Sequence, residues 1–240
     1  MTEQFKQLAE QLTRDLELTH PPVQVSYTSA PPGGVAEHPG GAPSVCTFFA
    51  EGAVHPFFAD APAHDACEIG AFVIGRKPEG ELGTRLLGTI GTMVEDGYLG
   101  ADEPSKIPHN PEAPKYVAYG PLGSLDLPPT TVLLFAKPKS AMLAVEAAGG
   151  HVPMNGRPMC AINPILNQGA PVAMSLGCIG SRVYTQMADH ELVFGIRGDH
   201  LAEFAASVRR IRGANDAVEL ADRRRREAAD RPFKRNRSAR

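Results

Sequence analysis

Four cysteines are the only thiols in this 240-residue chain, and they come as two pairs. Cys46 and Cys67 stand in "SVCTFFAEG" and "HDACEIGAF"; Cys160 and Cys178 stand in "RPMCAINPILNQG" and "LGCIGSRVY". Twenty residues separate the first pair and seventeen the second, and each pair's second cysteine leads into Ile-Gly. Four thiolates suit a tetrahedral zinc or an iron–sulfur cluster, because soft sulfur selects those centres. The short C-x2-C knuckles of zinc fingers are absent, which disfavours zinc. Ligation from four separated loops remains physically sound, and Gly70, Gly177 and Gly180 would let the backbone approach a bulky inorganic centre. The expectation is a [4Fe–4S] cluster held by Cys46, Cys67, Cys160 and Cys178, with zinc or no cofactor as the alternatives.

Thiol chemistry is a second use of the same residues. Cys178 lies in Gly177-Cys-Ile-Gly180-Ser-Arg182, where exposed amides and a cation would lower a thiol's pKa and make a nucleophile. That loop could equally hold an anionic ligand on Arg182 and backbone N–H groups. His64, three residues before Cys67, is a candidate base or further ligand. His55 and His190 read as surface histidines, and Asn163 and Asn167 as helix caps before substrate-binding residues. Cysteine also serves as a small buried hydrophobe, which related halves would inherit without chemistry. Against that, these four sit beside glycine, proline and histidine.

The elements that must position the cysteines repeat. "PPVQVSYTSAP" (21–31) and "PPTTVLLFAKP" (128–138) share a double proline, a strand-like run and a closing proline ten positions on. Glu81-Leu82 and Glu191-Leu192 then follow the second cysteine of each half at similar distance, leading into helical segments 82–96 and 199–220. The second of these places Leu201, Phe204, Ala205, Val208 and Ile211 on one face. The order predicts an α/β (α+β) fold of two duplicated half-domains about a pseudo-two-fold axis, with mixed sheets, covering helices and Pro21 equivalent to Pro128. The organisation expected is an amphipathic helix over 1–20, halves over 21–120 and 121–220, and a basic tail over 221–240.

The bulk numbers bound the function. A 42% hydrophobic, 21% charged chain is ordinary globular material. No apolar run reaches the ~18 residues of a membrane span, and the N-terminus lacks the apolar stretch of a signal peptide. A cytoplasmic location with reduced thiols is the expectation. The net charge of −3 hides a tail with nine Lys/Arg against three Asp/Glu. The body carries no nucleic-acid-binding motif, so the tail reads as a solvated helix end. Nucleotide loops, nucleophile elbows and H-E-x-x-H are absent.

"CTFFAEG", "HDACEIGAF", "GRPMCA", "SLGCIGSRVYT", "DHEL" and "GIRGDHL" resemble the DUF169 family of bacterial and archaeal proteins. The resemblance spans about residues 5–230, with "GANDAVELADRRRRE" similar to the family's final helix. Phe48-Phe49 departs from it, standing where the family tends to carry tryptophan. The resemblance implies that these motifs matter and brings no reaction with it. The function expected is therefore redox or lyase-type chemistry on a small molecule, an iron–sulfur-dependent oxidoreductase or lyase. A redox partner and self-association are further expectations. The alternative is a small-molecule or anion-binding sensor with structural cysteines.

Overall fold

The computed structural model describes residues 2–155, 158–185 and 187–235. Helix α1 (Thr2–Asp15) precedes strand β1 (Val23–Thr28), helix α2 (Val45–Gly52), strand β2 (Phe57–Asp60), helices α3 (Glu68–Val73) and α4 (Gly80–Glu95), and strand β3 (Tyr116–Pro121). Then follow β4 (Thr131–Ala136), α5 (Pro138–Ala147), β5 (Met154–Asn155), α6 (Ile162–Asn167), β6 (Val172–Ser175), α7 (Ile179–Tyr184), β7 (Leu192–Arg197) and α8 (Leu201–Arg235). All seven strands join one sheet in the order β2-β3-β1-β4-β7-β6-β5, antiparallel except for the β5–β6 pair. The mixed sheets expected are thus joined as one, and its centre is the short β1–β4 seam from Val23↔Leu133 to Val25↔Thr131.

Alternation along the strands divides the molecule into layers. In "TVLLFA" of β4, Leu133 and Phe135 join the cluster that holds Val25, Val117, Phe48, Cys46 and Cys160. Val132 and Leu134 point the other way, to Leu12, Leu143, Phe194, Phe204 and Val208. This is the period of two that a strand buried on both faces requires. Helices α2, α3 and α6 therefore cover one face, while α1, α5 and α8 cover the other. Each fully buried Leu or Phe contributes roughly 2 kcal/mol of apolar burial. The Phe48-Phe49 pair is one such unit: both rings are buried, and Phe48 stacks on Tyr119 of β3 with centroids 5.5 Å apart.

Outward from the seam the strands run β1, β3, β2 on one side and β4, β7, β6 on the other, where β5 adds a further edge strand beyond β6. Each series passes through a cysteine-bearing helical segment before its outer strand and a cysteine-capped helix after it. The expected landmarks do not all correspond. Setting Pro21 on Pro128 would place Val25 on Val132, but these side chains belong to opposite faces. A one-residue slip reverses every side chain of a strand, so the equivalence consistent with both faces is Val25 with Leu133. The Glu-Leu match also fails: Glu81-Leu82 opens helix α4, whereas Leu192 opens strand β7. Consequently α4 and α8 are not counterparts, since α4 precedes the half's middle strand and α8 follows it.

Helix α8 runs on to Arg235, further than the fraying end expected of the basic tail. Arginine, glutamate and alanine are strong helix formers, and Glu219–Arg223 is a favourable i,i+4 ion pair. Residues 236–240 lie outside the described chain. No helix of the described residues is long and apolar enough to cross a membrane.

Candidate functional site

The four cysteines wall one cavity of about 610 Å³. Each arrives by a different local device. Ser44 caps α2 by accepting the Thr47 N–H at 3.3 Å, which fixes Cys46 in the first turn. Cys67 is itself the cap of α3, its sulfur accepting the Gly70 N–H at 3.4 Å. Cys160 sits in the short 3-10 turn Met159–Ala161 that runs into α6. Cys178 caps α7; its backbone N–H donates to Ser181 Oγ at 3.0 Å, and that hydroxyl donates back to the Cys178 carbonyl at 2.7 Å.

The glycines differ in role. Gly70 lies where α3 crosses α2, and a Cβ there would come within 2.4 Å of Val45 Cγ2 and 3.0 Å of Cys67 Sγ. Gly177 holds φ +84°, a left-handed conformation that lets the chain turn sharply from β6 into the α7 cap. Gly180 lies on the cavity wall with open space around it, and a Cβ would meet nothing closer than Cys178 Sγ at 3.8 Å. The position of α7 equivalent to Gly70, three residues into the helix, is Ser181. The shared Ile-Gly is thus offset by one residue between the halves.

The sulfurs are electrostatically unequal. Cys178 is pulled down to about 5, chiefly by the Cys46 thiol donating toward it, against burial, and helped by the N–H groups of Met159 and Ser181. Cys46 is raised well above its ordinary value, by that same interaction and then by burial and the three neighbouring sulfurs. Burial is the first cause that raises Cys160 and Cys67, with backbone N–H groups of Val45 and Gly70 opposing it at Cys67. Cys178 is therefore the most acidic of the four thiols. All four are free of disulfides.

Two expected site residues do not reach the cavity. His64 is fully buried beneath it, with Nδ1 2.8 Å from the Asp60 carbonyl and Nε2 2.8 Å from the Tyr119 hydroxyl. A carbonyl only accepts, so Nδ1 carries the ring proton and Nε2 accepts from Tyr119. Burial lowers His64 to about 4 and keeps it neutral, so it pins β2 to β3 and is no base for Cys67. Arg182 is spent on the chain itself. Its guanidinium donates to the carbonyls of Ala188 and Leu176 at 2.7 Å and of Glu191 at 3.2 Å, tying together both ends of the Cys178 loop. Nor do the two asparagines cap: Asn163 lies buried within α6, and Asn167 donates to Asn110 Oδ1 at 3.0 Å.

Part of the wall is made by residues that sequence reasoning passed over. Tyr98, Glu103, Lys106 and Ile107, between α4 and β3, line the cavity together with Glu68 and Thr89. The Thr89 hydroxyl donates to the Glu68 carboxylate, and Lys106 pairs with Asp102. Nothing in the proline-spaced run "ADEPSKIPHNPEAP" distinguishes a wall from an ordinary surface loop. Ser181 was recoverable, since a cysteine followed three residues later by serine is a capping pattern.

The DUF169 pattern, described as an uncharacterised ArCR family, matches residues 11–207. The chain belongs to that family. No curated protein and no solved structure matches it. The match takes in all four cysteines and every strand but stops in the first turns of α8, so the resemblance expected over the last helix falls outside it.

Proposed function

We propose that Cys46, Cys67, Cys160 and Cys178 together hold an iron–sulfur cluster, [4Fe–4S] in type, in a protein that carries out redox chemistry on or for a small molecule. One observation carries the reading: the only four cysteines of the chain, from four separate segments of two half-sheets, border a single cavity. The donor set fits the group. Backbone N–H groups of Gly70 at Cys67, and of Met159 and Ser181 at Cys178, are the amides that stabilise bound thiolate sulfur. A single zinc ion fits less well. It needs its ligands at about 2.3 Å from one point, and no three His, Cys, Asp or Glu among the described residues are gathered that tightly. A cluster spreads its ligands more widely.

When bound, such a cluster supplies one-electron transfer at a potential set by its surroundings. Four cysteine ligands would occupy all four irons, which favours electron transfer over lyase chemistry at an open iron. The chain's own contribution is to bury Cys46 and Cys160, to leave Cys67 and Cys178 nearer the cavity, and to complete the lining with the Tyr98–Ile107 wall. The sensor alternative loses its cation, because Arg182 is committed to three carbonyls. We further propose that the two halves descend from one duplicated unit, supported by the strand order on either side of the seam; relatives whose halves differ in strand order would refute it. For the cluster, iron and sulfide analysis of anaerobically purified protein, with its visible charge-transfer absorption, is the direct test. Iron and sulfide in equal amounts, lost in Cys178→Ser, are the result expected; a colourless, iron-free protein after anaerobic reconstitution would overturn it.

A further inference from the structure

We propose that the cavity bordered by the four cysteines also binds a small organic cation, an amine on a largely apolar body, held by the Glu68 carboxylate. The inference rests on the cluster reading only for what such a ligand would meet there; the binding site itself is argued from the cavity's size and lining. Size comes first. At the roughly 30 Å³ that a water molecule takes up in the liquid, four irons and four sulfides fill about 240 Å³. The cavity holds about 610 Å³, so more than half of it is left over. Cavities of roughly 300–1,000 Å³ are those that take small organic ligands. The lining suits an apolar body: besides the sulfurs, Ile69, Met93, Leu99 and Ile107 border the space, with Tyr98 and Tyr184 reaching the surface.

Charge then selects the ligand's sign. Glu68 is half-buried on the cavity wall, and the Thr89 hydroxyl donates to one of its oxygens. No cation among the described residues pairs with it. The cations nearest in the chain are spent elsewhere. Arg76 grips Asp65 through two hydrogen bonds of 2.8 Å, and Arg85 donates to Glu81 at 3.2 Å and to the Asp65 carbonyl at 2.5 Å. Lys106, the one cation lining the cavity among the described residues, pairs with Asp102. Glu103 adds a second carboxylate to the wall. Four bound thiolates would also outweigh the positive charge of a cluster core. A carboxylate drawn partly out of water favours an opposite charge beside it, and tyrosine rings attract a cation further. An anionic ligand would meet its own sign throughout.

The test uses the full chain purified without oxygen, with iron measured in the same sample. Benzylamine, benzyl alcohol and benzoate, closely matched in size, are titrated at neutral pH and followed by ligand-observed NMR. Benzylamine should bind saturably and at least about tenfold tighter than the other two, the worth of a charged hydrogen bond. Glu68→Gln keeps the shape and an acceptor for Thr89, and should abolish that preference. Should the variant fail to fold, the wild-type ranking of the three probes decides alone. Benzoate or benzyl alcohol binding as tightly as the amine would overturn the proposal. So would a preference that survives in Glu68→Gln, or no binding of either benzylamine or the larger naphthylmethylamine. Iron-free protein that still binds the amine through Glu68 keeps this inference and sinks the cluster. Iron-loaded protein that ignores both amines does the reverse.

Discussion

Cys67 and Cys178 occupy corresponding places in the two halves, each capping the short helix that follows an outer strand, yet their surroundings diverge. Around Cys67 the helix is pressed onto α2 through Gly70, and burial raises the thiol. Around Cys178 the third helical position is Ser181, the neighbouring thiol is Cys46, and the thiol is pulled down. The approach to the cap differs too. Six residues and a 3-10 turn carrying His64 join β2 to Cys67, whereas Leu176 and Gly177 alone join β6 to Cys178. One backbone scheme can thus deliver a thiol that is raised or one that is lowered, and the choice lies in the residue three positions into the helix and in what packs above it.

The widest gap between the two caps should appear in metal-free protein as a pH profile. Alkylation of Cys178 by iodoacetamide should have its inflection near pH 5, and that of Cys67 above 9.0. The inflection, not the rate at pH 7, is the decisive reading, because nucleophilicity falls as the thiol pKa falls, with a Brønsted slope of about 0.4–0.5. Coincident inflections at the two cysteines would erase the distinction.

The His64 turn, present only in the first half, makes the next largest difference. A buried neutral imidazole lowered from 6.5 to about 4 takes up its proton on unfolding anywhere between those values. Its contribution to stability is therefore complete above pH 6.5 and declines as the pH falls to about 4, by about 3 kcal/mol in all. Denaturant melts of wild type and His64→Gln between pH 7 and 4 should show this slope in the first and not in the second. Equal slopes would mean that His64 titrates normally.

Glycine substitutions should separate the two capped helices by a further margin. Gly70→Ala drives a methyl into Val45 and should cost about 1–3 kcal/mol, the range for overpacking. Gly180→Ala enters open space and should be neutral or stabilise by up to about 1 kcal/mol through helix propensity. Urea midpoints at constant slope give both values. Ser181→Ala removes the hydroxyl bridging the Cys178 N–H and carbonyl and should cost about 1 kcal/mol. It should also move the Cys178 alkylation inflection upward, since the Ser181 side chain is one of the groups holding that thiol down. An unchanged inflection would leave Cys46 and the backbone amides as its sole support.

How far these features were legible depended on whether each leaves a local mark. "TVLLFA" declares a strand by its unbroken apolar run from Val132 to Ala136, and Leu201–Val208 declares a helix face by its spacing. The pairing of cysteines, twice in one order, pointed to a shared site because the chain holds no other thiols. Pro21 and Pro128 misled by one residue, since proline marks where a strand begins but not which face it presents. His64 and Arg182 misled for a common reason. Their types suggest chemistry, while the partners that occupy them, Tyr119 and three backbone carbonyls, are brought near only by folding. The Tyr98–Ile107 wall left no mark at all, its composition being that of any polar, proline-spaced loop.

The β1–β4 seam has a consequence for how the protein is made. Cys46 and Cys67 leave the ribosome well before Cys160 and Cys178, and β4, the strand that joins the halves, is made only after both of the first pair. A growing chain therefore exposes two thiols with no site to hold them. If the four cysteines hold a cluster as proposed, its insertion waits for Cys178, and chains arrested before β6 should take up no iron however much of the first half has folded.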